Sequence, residues 1–393
     1  MIAVFRNCYL ADPIACLIGT AFSTYFMLGY NMRYFVYRPS LDGNEKKYVN
    51  ECLDSTWISS KGRFVDDFSD SFAKYIGAKH GIPVCNGTVA IHLALETVGI
   101  GHGDEVIVPS FTYVASVNPI VQVGATPIFV DSLKDSWQMS PLDIEAKITS
   151  STKAIIVVHL YGHPCDMNPI IEIAEKHNLL IIEDCAESIG TKYNGKKVGA
   201  FGHIATFSFF GNKTITCGEG GMVVTNDDEL AERASRLKGQ GLSKGKEYWH
   251  DIIGYNYRMT NIQAAIGLAQ LEQINTFIDA KQSIAQWYMQ CLSGLPISFH
   301  SPIGNVFHTY WMVSILVENP GVRNKLRNFL KDKGVETRPT FSPVHTMPMY
   351  SNAKAHCPIA DDLSERGINL PSYPALTKND VGIICNIIRD FYE

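Results

Sequence analysis

The sequence predicts an α/β protein: a mostly parallel sheet in a large domain, followed by a small C-terminal α+β domain. Three observations lead there. Between about residues 79 and 226, short β-branched runs alternate with helical patterns, the order expected of βαβ units. These runs are almost continuously apolar, as in strands covered on both faces. After about residue 300 the elements shorten and change order, which marks a smaller second unit.

The strand candidates, in order, are EVIVPS (105–110), TPIFVD (126–131), KAIIVVHLY (153–161), LLIIED (179–184), ATFSFF (205–210) and GMVVTN (221–226). The run NPIIEIAEKHN (168–178) reads as a crossover helix, and a second helix begins after Asn86. A longer helix is expected from Asn261 to Leu271 and beyond. Thr260 and Gln263 have capping-box spacing at its start, and Ile262, Ala265, Ile266 and Ala269 form a stripe at helical spacing. In the small unit, YWMVSILV (310–317) reads as a strand and RNKLRNFLKDKG (323–334) as a helix ending at Gly334. The expected division is an apolar N-terminal extension (1–31), a large domain (32–275) and a small domain (276–393). There is no internal repeat and no low-complexity tract.

Composition narrows the function. The formal net charge is −5, with no block of like charges. Nucleic-acid binding, which leaves a basic stripe or patch, is therefore not expected. The 10 cysteines are scattered without a C-x-x-C pair, the usage of free thiols in a reducing compartment, here the cytoplasm. Residues 14–30 (IACLIGTAFSTYFMLGY) are mostly apolar, but the run is shorter than the roughly 20 residues that usually span a bilayer. It lacks a strongly basic start and a cleavage site. A membrane contact is one reading; a dispensable extension ahead of a folded protein beginning near Met32 is the preferred one.

Four features carry chemistry. In TFSFFGNKTITCGEGGMVVTND (206–227), Lys213 follows a strand end in a polar turn, and Gly218, Gly220 and Gly221 keep the next segment compact. A partly desolvated amine there suits capture of a carbonyl cofactor, although most such lysines are merely exposed. In LLIIEDCAES (179–188), Asp184 ends a buried strand, where ligands bind in open α/β sheets. A carboxylate so placed can hold a pyridine nitrogen protonated, or simply cap a following helix. In VCNGTVAIHLAL (84–95), Gly87 and Thr88 open a helix whose free N–H groups favour a phosphate, or else form an ordinary helix start. In VPSFTYVAS (108–116), Tyr113 lies just past a strand end, able to stack on a flat ring or to join the core. The order and spacing of the four are those of the fold-type I pyridoxal-phosphate (PLP) enzymes.

The sequence resembles the DegT/DnrJ/EryC1/StrS family of sugar aminotransferases from about Met32 to the C-terminus. NGTVAIHLAL, PSFTYVASVNPI, HLYGHPCDM, EDCAESIGTKYNGKKVG, TFSFFGNKTITCGEGGMVVTND and GYNYRMTNIQAAIGLAQL each match its blocks. The resemblance implies a fold-type I PLP-dependent aminotransferase with pyridoxal 5'-phosphate bonded to Lys213 and Asp184 on the pyridine nitrogen. Glu187 matches a position close to the ring; Gly87, Thr88 and Ser208 match phosphate-binding positions, and Tyr113 the stacking aromatic. Asn256 matches an asparagine that reaches the neighbouring subunit's phosphate, which implies an obligate homodimer with active sites at the interface. L-glutamate is the implied amino donor. A nucleotide-diphosphate 4-keto sugar is the implied acceptor.

STWISSKG (55–62), FHTYWMVSIL (307–316) and FSPVHTMPMY (341–350) resemble the members acting on GDP-4-keto-6-deoxy-D-mannose. Ser59, Lys61, His308, Arg338 and His345 are the substrate-contact candidates, with Lys61, Arg63 and Arg338 able to offset the diphosphate charge. Three rivals remain: the same chemistry on a UDP- or dTDP-linked sugar, a PLP-dependent sugar dehydratase, and a non-catalytic membrane-tethered binding protein on this fold. Lys213 opposes the dehydratase, in which a histidine takes its place. Retention of Lys213, Asp184 and Thr88 together opposes the binding protein.

Overall fold

The computed structural model describes residues 32–301, 304–353 and 355–393. The N-terminal extension, and the membrane contact considered for it, lie outside the described residues.

The first nine strands run β1 (His80–Val84), β2 (Glu105–Pro109), β3 (Thr126–Val130), β4 (Thr152–Val158), β5 (Leu180–Asp184), a short hairpin of β6 (Lys192–Tyr193) and β7 (Lys196–Lys197), β8 (Ile204–Ser208) and β9 (Gly221–Thr225). Seven of them form one sheet in the order β1-β9-β8-β5-β4-β2-β3. Neighbours from β8 to β3 are parallel, whereas β9 is antiparallel to both β1 and β8. The continuous apolar runs are explained by burial on both faces. Val106, Val108, Ala154, Ile156 and Ile182 enter one core cluster, while the alternate residues Ile107, Ile155, Val157 and Ile181 enter another. Successive side chains of a strand point to opposite faces, so one run supplies two cores.

The sequence missed β1, HGIPV, because glycine, proline and histidine obscure its strand character. Pairing with β9 and burial of Ile82 and Val84 override that local composition. The helix Met167–His177 lies where it was expected. The helix Asn261–Glu272 starts with the capping box of Thr260 and Gln263 but stops at Gln273, where a second helix, Ile274–Cys291, takes over.

The second sheet joins β10 (Ile297–Phe299), β12 (Val313–Val317), β13 (Arg338–Pro339) and β14 (Gly367–Leu370) in the antiparallel order β10-β12-β14-β13. Helices Pro320–Asp332 and Lys378–Tyr392 supply Leu326, Leu330, Ile384 and Ile388 to its core. Two elements tie the sheets together. β11 (Val306–Phe307) pairs with β6 of the large-sheet region. The helix Ile274–Cys291 sets Phe277 and Ile278 in one core and Ile284, Ala285 and Tyr288 in the other. Among the described residues, no helix is long and apolar enough to cross a membrane.

Candidate active site

A cavity of about 490 Å³ opens at the carboxyl ends of β4, β5 and β8 and is closed on one side by Trp311 and Phe341. It lies in the size range of small-molecule sites. Gly87, Thr88, Tyr113, Asp184, Glu187, Ser208 and Lys213, far apart in the sequence, all line it.

Lys213 sits in the turn after β8, its own N–H donating to the Phe210 carbonyl at 2.9 Å. The Nζ lies 3.4 Å from Glu187 Oε1 and 4.0 Å from the centroid of the Trp311 ring. Trp311 Nε1 donates to the Asn212 carbonyl at 2.7 Å, and Tyr37 Oη donates to the Lys213 carbonyl. The turn is thus gripped on both sides of the amine. Burial raises the Glu187 carboxyl above the usual range, opposed by the Lys213 charge and by the Tyr161 N–H, which donates to it at 2.9 Å.

The last two residues of β5 divide the work of the strand end. Glu183 points into the protein, where it accepts from the N–H groups of Gly199, Phe201 and Gly202 and meets His159 Nε2 at 3.0 Å. Burial alone would raise its carboxyl, but His159 and these N–H donors hold it below the usual range. Asp184 points the other way, into the cavity. Its Oδ2 accepts from Ser116 Oγ at 2.7 Å and its Oδ1 from the Ala186 N–H at 3.0 Å. No helix follows Asp184: the backbone contact closes a side-chain turn, so helix capping is ruled out as its role.

At the other end of the cavity the helix Gly87–Thr97 begins directly after β1. The Asn86 side chain caps it by accepting from the Val89 N–H at 3.0 Å. The N–H groups of Gly87 and Thr88 have no acceptor among the described residues. They face the end of β8 so closely that a Cβ at Gly87 would stand 2.7 Å from Ser208 Cβ. Gly221 is similarly confined, since a Cβ there would lie 2.5 Å from the Asn86 carbonyl oxygen. Gly87→Ala is expected to push the helix start away from Ser208 and weaken phosphate binding by ~10-fold or more, about 1.4 kcal/mol. Titrating the cofactor-free protein with PLP checks this; unchanged affinity would mean that the turn does not hold the phosphate.

The other expected residues divide. Tyr113 is 57% exposed, lines the cavity and lies 5.6 Å from Phe341, so it is no core aromatic. Arg338 lines an adjoining cavity and pairs with Glu336 at 2.6 Å. His308 is not brought to the site. It is buried with Nε2 3.0 Å from His300 Nε2, its Nδ1 accepts from the Tyr310 N–H, and its ring stacks on Tyr310. His345 lies off the cavity lining, its Nδ1 2.6 Å from Ser110 Oγ. Ser59 and Lys61 are exposed and away from this chain's cavity, and Arg63 is engaged by Glu51 and Asp67. Asn256 is exposed, does not line its own chain's cavity, and accepts from Arg258 Nε at 2.9 Å. Sequence reasoning missed Ser116, Asn212, Trp311 and Phe341. One available signal was the tryptophan just ahead of the buried strand Val313–Val317.

Residues 39–389 match the model of the DegT/DnrJ/EryC1/StrS aminotransferase family. The chain belongs to this family. Among its DegT/DnrJ/EryC1/StrS relatives, a protein of Escherichia coli O157:H7 named GDP-perosamine synthase is 61% identical over 363 residues, covering 92% of this chain and 100% of that protein. A protein of the same name from Vibrio cholerae is 52% identical over 91% of this chain and 99% of its own length. The crystal structure of S. venezuelae DesV in complex with a ketimine intermediate superposes with a TM-score of 0.85 at 34% identity, over 89% of this chain and 94% of that one.

As a DegT/DnrJ/EryC1/StrS aminotransferase the protein uses pyridoxal 5'-phosphate. The cavity suits that cofactor on its own terms. Two N–H groups without an acceptor among the described residues, at a helix N-terminus beside Ser208, would suit a phosphate. A fixed carboxylate stands deeper in the cavity, with a half-buried amine between aromatic walls. Asn212 Oδ1, on the residue before Lys213 in the cavity lining, is buried without a hydrogen-bond partner among the described residues.

Proposed function

We propose that this aminotransferase moves an amino group from L-glutamate to C4 of GDP-4-keto-6-deoxy-D-mannose, giving GDP-perosamine. The observation that carries the sugar assignment is near-full-length identity of 61% and 52% to two proteins named GDP-perosamine synthase. The site geometry supports the amino transfer.

When bound, PLP supplies an aldehyde that accepts the amino group and a ring that delocalises the charge left after proton removal. In our reading the Gly87 and Thr88 N–H groups and the Ser208 hydroxyl hold its phosphate. Asp184, fixed by Ser116 and the Ala186 N–H, keeps the ring nitrogen protonated. Lys213 Nζ takes the proton from the α-carbon of glutamate and, in the second half-reaction, delivers one to sugar C4. Glu187 holds the amine in place between transfers, and Trp311 and Phe341 exclude water from it. Tyr113 stacks on the ring. Substrate enters over Tyr113 and Phe341, which the site shares with the cavity bearing Arg338. Ser59, Lys61 and His345 stay candidates for the nucleotide only if a second subunit or closure brings them near.

A homodimer completes the proposal. Tyr248, Trp249 and Ile253 are 92%, 52% and 90% exposed on the segment leading to Asn256, and Trp57 and Ile58 are exposed nearby in the Ser59 loop. Side chains this apolar are normally covered by a partner. A second copy seated there would bring Asn256 to the neighbouring phosphate. Ile253→Asp is accordingly expected to yield monomer and to cut PLP affinity as well. Light scattering with cofactor titration checks both, and a monomer with full affinity would detach Asn256 from the site. A cytoplasmic location fits the buried free cysteines Cys52, Cys165, Cys185, Cys217, Cys357 and Cys385.

The deciding experiment supplies glutamate with GDP- or UDP-linked 4-keto-6-deoxy sugar and identifies the products. Preference in kcat/KM for the GDP sugar is expected. Preference for a UDP- or dTDP-linked sugar would overturn the substrate and leave the aminotransferase intact.

A further inference from the structure

Lysine is among the side chains least often buried, because removing an ammonium from water costs several kcal/mol unless an anion meets it. Lys281, on the helix Ile274–Cys291, has no exposed surface. Its Nζ donates to two backbone carbonyls, of Trp311 at 3.0 Å and of Ser372 at 2.9 Å, and lies 5.7 Å from the centroid of the Tyr37 ring. Burial pushes the amine down to about 7, and no carboxylate among the described residues offsets that.

Both contacts lead to one place. Trp311 lays its indole 4.0 Å from Lys213 Nζ and donates from Nε1 to the Asn212 carbonyl at 2.7 Å. Tyr37 donates to the carbonyl of Lys213 itself. The two residues that grip the Lys213 turn therefore share a buried amine behind them. An unbranched apolar side chain would fill the same space without desolvation, so the reason for a lysine here is the pair of carbonyls that only a donor can hold.

We propose that Lys281 is a positioning residue for the reaction: by holding the Trp311 carbonyl and the Tyr37 ring it sets the indole over Lys213 and fixes the direction of the reactive amine. This rests on Lys213 as the lysine that bonds PLP, a point the test addresses separately. Borohydride reduction of the wild-type holoenzyme followed by peptide mapping must mark Lys213. A mark on another lysine overturns that reading, and this one with it.

With Lys213 marked, Lys281→Met is expected still to fold, with a thermal midpoint set by relieved desolvation against two unpaired carbonyls, and still to be marked at Lys213. Misaligning a reacting group by about 1 Å costs up to ~100-fold, so kcat is expected to fall ~10- to 100-fold with KM almost unchanged. The rate at which cofactor-free protein takes up PLP covalently should fall too. Combined with Trp311→Phe, the loss should not exceed that of Trp311→Phe alone, because both act through the indole. Wild-type kcat and uptake rate in Lys281→Met, or losses that multiply in the double variant, would overturn the proposal. Should Lys281→Met fail to fold, Lys281→Gln, too short to reach both carbonyls, goes through the same cycle with the same deciding outcomes.

Discussion

Lys213→Ala is expected to fold normally and to lose at least ~10⁴-fold in kcat, roughly 5.5 kcal/mol of barrier. The loss is large because, in the proposed mechanism, one amine serves two purposes, holding the cofactor and carrying the proton in both half-reactions. The fold should survive. Beyond its contact with Trp311, the side chain makes one hydrogen bond, to Glu187, which keeps the Tyr161 N–H in the variant. Glu187 would then be a buried carboxyl without a neighbouring cation, and its already raised pKa should rise further. Single-turnover kinetics with the visible absorbance of the cofactor reads the chemistry, and thermal unfolding reads the fold. Turnover near the parent rate would remove Lys213 from the mechanism.

The second large effect belongs to Asp184. Asparagine keeps its shape and can still accept from the Ala186 N–H, so the turn after β5 should stay closed. The negative charge proposed to keep the ring nitrogen protonated is gone. Proton transfer at carbon is then expected to slow by ~10²- to 10⁴-fold, with cofactor affinity less affected. A deuterated amino donor makes the change visible, because slower proton removal should enlarge the isotope effect on kcat. If Asp184→Asn turns over at the parent rate with no change in that effect, the carboxylate serves only the turn.

Much of the fold could be read from the sequence because it is written in local patterns. Ile155, Ile156 and Val157 announce a strand buried on both sides, and Thr260 with Gln263 announces a helix start. That Lys213, Asp184, Gly87 and Ser208 would line one cavity was legible for a related reason. Each stands at the end of a strand or the start of a helix, where a sequence pattern changes. The walls were not. Trp311 and Phe341 come from the small sheet and its connections, and nothing in their neighbourhoods says which way that sheet faces. His308 became a candidate through the block FHTYWMVSIL, which does not say which way each side chain faces, and its ring sits among His300, His163 and Tyr310. Lys281 was invisible for the same reason: in IDAKQS it looks like a solvent-facing residue of a helix.

The place of β9 in the large sheet bears on when the site comes into being as the chain folds. Among the described residues, β1 is the first strand in sequence, yet its only neighbour in the sheet is β9, the last strand of that sheet. The parallel strands β2, β3, β4, β5 and β8 can pair with one another while β1 has no strand to pair with. Closing that long loop is the slow, entropically expensive part of such a topology. When β9 arrives, following β8 through the turn that carries Lys213, it brings Gly221 against the Asn86 carbonyl and docks the helix start at Gly87 beside Ser208. The phosphate end and the reactive amine are therefore completed in one late step. With Lys213 and the Gly87 turn in their proposed roles, an unfinished chain would have its lysine but no seat for the phosphate.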